Sequence, residues 1–190
     1  MPRPRKRPAN PGALTVSRPA LLVEGGDGAF RGLIHDLLAH GARLEACRDA
    51  FAGIAGVSGV QYEILMLLSR SESLPVGEVA AALHRSGAFI TTEAARLTAR
   101  GIVDKRPDPA DGRRVRLALT RKGAEMVRRL APVQRQVNDT LFECLDARRF
   151  RALRALAAEL AACADRGAAL AEFLAREAAG RSSHPTQEAA

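Results

Sequence analysis

Apolar residues recur at helical spacing along two stretches in the first part of the chain. Over residues 28–54 they lie three, four or seven positions apart, which predicts one long amphipathic helix. A glycine-rich break from Gly53 to Gly59 follows, and in it Ser58 is placed to cap a second helix. The second helix presents an apolar face made of Val60, Ile64, Leu65 and Leu68.

Residues 76–101 are typical of two short helices joined by a turn. The apolar positions predict one helix over residues 76–83 and another that starts at a Ser86 cap and runs to Arg100. His84 and Arg85 leave room only for a tight connection between the two. Gly101 suits the left-handed conformation that ends many helices.

A β-hairpin is predicted directly after the second of these helices. Residues 103–106 favour a strand, and residues 107–112 are dense in turn-forming residues. Residues 115–119 place an apolar side chain at every second position, the period of a half-buried strand. Residues 74–76 are predicted to be extended, because Pro75 disfavours helix in the residue before it. The order is that of a helix-turn-helix with a wing.

The last part of the chain is predicted to be helical again, in two helices. The first starts at Arg121 and ends near Cys144, and Asp146 is placed to cap the second. In the second helix, apolar or small residues alternate at spacings of three and four, which is typical of a helix-packing seam. The seam consists of Leu153, Leu156, Leu160, Cys163, Gly167, Leu170 and Leu174. Residues 179–190 are predicted to be a disordered tail.

Composition and length fit a mainly α fold with a small β part, an α+β winged helix. The chain has 190 residues, enough for one domain or one core with a dimerisation extension. Hydrophobic residues make up 47% and aromatic residues only 4%. The core is therefore predicted to consist mostly of Ala, Leu, Val and Ile.

The charge distribution favours a polyanionic partner, although less strongly than the total suggests. The net charge is +8 and the isoelectric point is about 10.6. Residues 1–20 supply +5 of this charge and also hold five prolines, so residues 1–26 are predicted to be a disordered basic arm. Whether the arm is inert or attracts phosphates stays open.

Several functional classes are disfavoured by the sequence. Cys47, Cys144 and Cys163 have neither metal-binding nor CxxC spacing, and the histidines show no zinc-ligand spacing, so no metal or other cofactor is expected. No phosphate loop or nucleophile elbow is present, and we expect no enzyme activity. The sequence lacks a run of 18 uncharged apolar residues, which predicts no membrane span and a cytoplasmic protein.

The second helix of the helix-turn-helix carries residues suited to the DNA major groove. A reading helix needs small or polar side chains near its N-terminus, where it approaches the base edges. Hydroxyls there can donate to phosphates or bases, and threonine methyls can touch a thymine methyl. The predicted contacts are Ser86, Gly87, Ala88, Thr91, Thr92 and Arg96.

The hairpin is basic, as expected for a wing that contacts DNA. An arginine at its tip can enter a narrow, electronegative minor groove. Asp111 can hold the tip by pairing with a nearby arginine or through an Asx turn. The predicted wing contacts are Asp111, Arg113, Arg114 and Arg116.

Taken in order, these motifs resemble the DNA-binding part of MarR-family regulators. The similar features are the close of the reading helix at Arg100 and Gly101, "IVDKR" ending at Arg106, the wing motif from Asp111 to Arg113, and "LTRKG" at residues 119–123. The upstream "GVSGVQYEILMLL" resembles the second helix of the family. The resemblance covers about residues 28–178. Thr98 departs from the acidic residue often found there.

The resemblance implies a domain organisation and a set of roles. The winged helix-turn-helix is expected at residues 57–120, between dimerisation helices at 27–56 and 121–178. Arg113 is implied to be the minor-groove residue and Asp111 its positioning partner. The protein is expected to bind a pseudo-palindromic operator in double-stranded DNA as a homodimer, with repression the favoured outcome.

The resemblance also implies release from DNA by a small effector, often an aromatic acid. Arg31, His35 and Arg43 share a side of the first helix and are the candidate ligand contacts, although exposed charges of this kind are more often only solvated. Oxidation of Cys47 is an alternative switch, but its place on the apolar stripe favours a small core residue. A winged helix used only for protein contact is the other alternative.

Overall fold

The computed structural model of the chain describes residues 14–109, 111–112 and 114–182. It divides into two compact units, one up to Val137 and one from Asn138 onward. The elements in chain order are a 3-10 turn Pro19–Leu21, α1 Gly28–Ala55, α2 Gly59–Leu68, β1 Leu74–Pro75, α3 Val76–Ala82, α4 Gly87–Ala99, β2 Val103–Pro107, β3 Val115–Leu119, α5 Arg121–Leu141 and α6 Ala147–Ser182. The predicted mainly α fold with a small sheet is confirmed.

The helix starts follow from capping side chains that the sequence had indicated. At α2, Ser58 and Gln61 form a capping box in which each side chain accepts a hydrogen bond from the backbone N–H of the other. The Ser86 hydroxyl accepts from the N–H of Phe89 at the start of α4, and the Asp146 carboxylate accepts from the N–H of Arg149 at α6. These bonds satisfy N–H groups that have no partner within the helix.

The sheet has three antiparallel strands in the order β1-β3-β2. Leu74 lies opposite Leu117, and Val103 lies opposite Leu119. Between α4 and β2, Gly101 adopts a φ of 67°, as predicted for the residue that ends α4. The hairpin β2–β3 therefore leaves the helix-turn-helix as a wing.

The main core lies between the helix-turn-helix and the sheet. Its buried side chains come from α2, α3, α4, β2 and β3, and from Ile102 just before β2. Burial of such an aliphatic side chain contributes about 1.5–3 kcal/mol. The largest are Ile64, Leu65, Leu68, Val79, Ile90, Leu97, Ile102, Val103 and Leu117.

A second, smaller cluster joins α1, α2 and α5. Phe51, Tyr62 and Leu130 are buried in it, and the ring centroids of Phe51 and Tyr62 are 6.0 Å apart. The Tyr62 hydroxyl accepts a hydrogen bond of 2.6 Å from Nε2 of Gln134. Burial raises the pKa of Tyr62. Cys47 packs partly buried against this cluster, in keeping with the predicted core role.

The predicted disordered arm is wrong for residues 14–26, while residues 1–13 lie outside the described residues. Asp27 is buried, and its Oδ2 accepts from the backbone N–H and the hydroxyl of Thr15, both at 2.7 Å. Nε of Arg31 donates to the same oxygen at 2.9 Å. These bonds, the backbone bond from Thr15 foremost, lower the pKa of Asp27 to about 2 and tie the segment to the start of α1.

The apolar seam of α6 is exposed within the single chain. Leu153, Leu156 and Leu160 keep between 44% and 57% of their surface. The helix continues to Ser182, so the prediction of a disordered tail is wrong for residues 179–182; residues 183–190 lie outside the described part. Of the helices described, none is by itself both long and apolar enough to cross a membrane, although α1 and α2, bent by 85°, reach that length and composition as a pair.

Candidate nucleic-acid interface

Helix α4 has one buried and one exposed side. Ile90, Ala94 and Leu97 face the core, with Glu93 among them. All six residues predicted to contact DNA from this helix lie on the exposed side: Ser86, Gly87, Ala88, Thr91, Thr92 and Arg96. The first turn therefore exposes the small residues Gly87 and Ala88 together with the ring of Phe89, which is 41% exposed.

The hydroxyl groups of this helix already have acceptors within the chain. Thr91 donates to the carbonyl of Gly87 at 2.8 Å, and Thr92 donates to the carbonyl of Ala88 at 3.1 Å. The predicted donation to phosphates or bases requires these hydroxyls to rotate away. Without rotation, the threonines offer oxygen lone pairs and methyl groups to a partner.

The main feature not predicted from the sequence is a buried carboxylate, that of Glu93, on the core-facing side of α4. Glu93 retains only 5% of its surface. It accepts a hydrogen bond of 2.9 Å from Nε2 of Gln61 and pairs with Nη1 of Arg96. The helical period gave a usable signal, since Glu93 lies three residues after Ile90 and four before Leu97, on the apolar stripe.

Backbone hydrogen bonds and the ion pair between Arg114 and Asp111 close the tip of the wing. The N–H of Asp108 donates to the carbonyl of Arg114 at 2.9 Å, and the N–H of Arg114 donates to the carbonyl of Asp111 at 2.8 Å. Nε of Arg114 lies 3.3 Å from Oδ2 of Asp111. Asp111 thus pairs with a nearby arginine, one of the two arrangements considered for it. Arg113 lies outside the described residues.

Arg116 is placed differently from the DNA contact predicted for it. Its Nε donates to the hydroxyl of Ser73 at 2.8 Å and its Nη2 to the carbonyl of Ser73 at 2.9 Å. Its Nη1 pairs with Oδ2 of Asp108 at 3.0 Å. All three guanidinium nitrogens are engaged, because β3 is the central strand and its neighbours present acceptors on both sides. Arg116 therefore ties the wing, close to its turn, to the segment before β1.

The three candidate ligand contacts on α1 are exposed. Arg31 pairs with Asp27, Arg43 donates from Nη1 to the carbonyl of Ala39 at 2.7 Å, and His35 is exposed. A cavity of about 350 Å³ lies elsewhere, at the end of α1 against α5. It is lined by Ile54, Ala55, Lys122, Glu125, Met126, Arg129 and Leu130. Within the described residues, no group of His, Cys, Asp and Glu could hold a metal ion.

The helix-turn-helix, the three-stranded sheet and the closed basic hairpin define a winged helix-turn-helix protein. Residues 55–114 match the family model for the MarR family, a region that holds α2 to α4, β2 and the turn of the wing but ends before β3. No curated protein matches the chain at a significant level.

Solved structures of MarR-type regulators have the same fold. NadR in complex with 4-hydroxyphenylacetate is 25% identical with a TM-score of 0.58, over 68% of this chain and 89% of NadR. PcaV from Streptomyces coelicolor with its natural ligand is 27% identical with a TM-score of 0.53, over 65% of this chain and 90% of PcaV. A mutant MarR from E. coli complexed with operator DNA is 18% identical with a TM-score of 0.58, over 68% of this chain and 93% of MarR. The winged-helix region of the chain is thus similar to that of MarR-family regulators in sequence and in fold.

Proposed function

We propose that the protein is a sequence-specific regulator that binds a pseudo-palindromic operator in double-stranded DNA as a homodimer and acts as a repressor. The observation that carries this proposal is the N-terminal half of α4, where the exposed residues Gly87, Ala88, Thr91 and Thr92 present small side chains on a helix fixed by its buried side. Such a surface fits the major groove. Asp111 and Arg114 lie at the tip of the wing, and we propose that the wing reaches the minor groove through Arg113.

A homodimer is supported by the apolar surface that one chain leaves uncovered. Leu153, Leu156, Leu160, Leu170 and Leu174 of the seam are all between 44% and 57% exposed. Contiguous apolar surface of this kind marks an interaction site more often than bare solvent contact. A two-fold dimer would place two α4 helices about 34 Å apart, in successive major-groove turns.

Control by a small aromatic acid is the second part of the proposal. The solved structure of NadR in complex with 4-hydroxyphenylacetate supports this part of the proposal. Arg31, His35 and Arg43 on α1 remain candidate contacts for the carboxylate. The cavity at the end of α1 is a second candidate place, because it combines an apolar wall from Met126 with the ion pair of Glu125 and Arg129. We assign no enzyme activity and a cytoplasmic location to the regulator.

Selection of bound duplexes from a random DNA pool tests the function directly. The expected result is one enriched consensus with two-fold symmetry, whose affinity falls steeply as salt rises. A winged helix used only for protein contact would enrich no sequence, and that outcome would contradict the proposal. Repeating the binding assay after peroxide treatment separates thiol control through Cys47 from control by a ligand.

A further inference from the structure

The buried side of α4 contains a carboxylate that contributes nothing to an apolar core. Glu93 projects between Ile90 and Leu97 and is only 5% exposed. A buried carboxylate costs free energy unless charged or hydrogen-bonding groups compensate it. Both of its oxygens have such a partner: Oε2 accepts from Gln61 and Oε1 pairs with Arg96.

Gln61, the hydrogen-bond donor to Glu93 from α2, is itself held in place by Ser58. Its Oε1 accepts from the N–H of Ser58 at 3.3 Å, and its backbone N–H donates to the Ser58 hydroxyl at 3.2 Å. Its Nε2 then donates to Glu93 at 2.9 Å. A continuous series of bonds thus joins the capped start of α2 to the carboxylate of α4.

Arg96, the ion-pair partner of Glu93, lies on the exposed face of α4 that we propose contacts DNA. Its side chain is 64% exposed, whereas that of Glu93 is 6% exposed. The pair joins Nη1 to Oε1 at 2.5 Å. A guanidinium has five N–H donors, so this bond uses only part of its donor set. Donors at Nε and Nη2 are oriented by the bond that holds Nη1.

We propose that Glu93 is a positioning residue that makes Arg96 discriminate between bases instead of attracting phosphates in general. The inference rests on the proposed DNA binding by α4. An unpaired arginine on this face would carry a full charge on a flexible side chain and would reach any nearby phosphate. Glu93 offsets that charge and fixes the plane of the guanidinium, and a fixed plane is what bidentate contact with a base edge requires.

The test compares Glu93→Gln with the unmodified full-length chain on two duplexes, the selected consensus and a scrambled sequence of equal length. Fluorescence anisotropy is measured from about 50 to about 200 mM salt. Glu93→Gln keeps the size and the bond to Gln61 but releases Arg96. We expect the slope of log K against log salt on scrambled DNA to steepen by about 0.9 for each bound Arg96. The ratio of specific to non-specific affinity should fall about fivefold to tenfold.

Three further variants make the result specific. Glu72→Gln removes the same charge from an exposed position before β1 and should leave both quantities unchanged. In the double variant Glu93→Gln with Arg96→Gln, the steeper slope should disappear. Arg96→Gln alone should lower the affinity ratio with little change in slope. This measurement does not depend on how well Glu93→Gln folds.

Three outcomes are decisive: the first two refute the inference about Glu93, and the third refutes the proposed function. A folded Glu93→Gln protein with the original slope and ratio would show that Glu93 is only structural, and a lower slope in Arg96→Gln would show that Arg96 already binds a phosphate. Either result refutes the inference and leaves the proposed function standing. An unmodified chain that binds neither duplex refutes the proposed function itself.

Discussion

The backbone carbonyl of Ile102 lies directly against the α-carbon of Gly123, where the start of α5 meets the start of β2. A Cβ at position 123 would overlap the carbonyl oxygen of Ile102 and also touch Leu119. Thr120 reinforces the junction, since its N–H donates to the same carbonyl at 3.1 Å and its hydroxyl accepts from the N–H of Gly123. The close approach fixes α5 to the base of the wing.

Gly123→Ala is therefore expected to destabilise the protein, although alanine favours helices. Displacing two backbone segments costs about 1–3 kcal/mol, more than the roughly 1 kcal/mol that alanine contributes in a helix. Urea denaturation measures the change. Gly77→Ala, in α3 with open space around the position, should be neutral or slightly stabilising. Equal stability of both variants would contradict the packing described for Gly123.

Arg116→Ala is expected to lower stability, whereas Arg113→Ala is expected to lower DNA affinity. The first change removes two bonds to Ser73 and the ion pair with Asp108, at a cost of about 1–3 kcal/mol of unfolding free energy. The second should weaken binding to the selected consensus by about 1–3 kcal/mol without shifting the melting temperature. Thermal unfolding and anisotropy, measured on both variants, check the two expectations.

If the roles of Arg116 and Arg113 differ from those described, the same two measurements show it. If Arg116→Ala kept its melting temperature and lost affinity, Arg116 would be a DNA contact as the sequence pattern had predicted. If Arg113→Ala bound the consensus normally, the minor-groove role of Arg113 would be wrong.

Arg116 and Glu93 show where sequence interpretation succeeds and where it stops. Helix and strand positions were predictable because burial repeats with a fixed period. The caps at Ser58, Ser86 and Asp146 were predictable because these residue types stand just before a helical pattern. The partners of Arg116 were not predictable, because Ser73 lies 43 residues away and meets it only through the strand order. Glu93 was detectable as a charge on an apolar stripe, but its bond to Gln61 depends on how α2 crosses α4.

The contact of Thr15 with Asp27 is expected to weaken in acid. Hydrogen bonds from Thr15 and Arg31 favour the ionised carboxyl and lower the pKa of Asp27 from 3.8 to about 2. Because the pKa is depressed in the folded state, the stabilisation is present above about pH 4 and is lost as pH falls towards 2. NMR titration of the Asp27 carboxyl, with exchange of the Thr15 amide, follows both groups.

Asp27→Asn should remove this pH dependence and increase exchange of the Thr15 amide at neutral pH. Asp36→Asn, an exposed change on the same helix, serves as the control and should leave that amide protected. A carboxyl that titrates near its ordinary pKa in the unmodified chain would contradict the contact.

Leu160→Lys is expected to break the proposed dimer without unfolding the single chain. Leu160 is at the centre of the α6 seam and 56% exposed, so the substitution removes no contact from the core of one chain. Burial of a leucine contributes about 1.5–3 kcal/mol, and a two-fold interface contains it twice. The dissociation constant of the dimer should therefore rise at least about 100-fold. Sedimentation measures this constant, and circular dichroism checks that the helix content stays the same. Ala158→Lys, which adds the same charge on the opposite side of α6, should leave the dimer intact. If both variants remained dimeric, the seam would not be the interface, and the apolar surface of α1 would be the next segment to test.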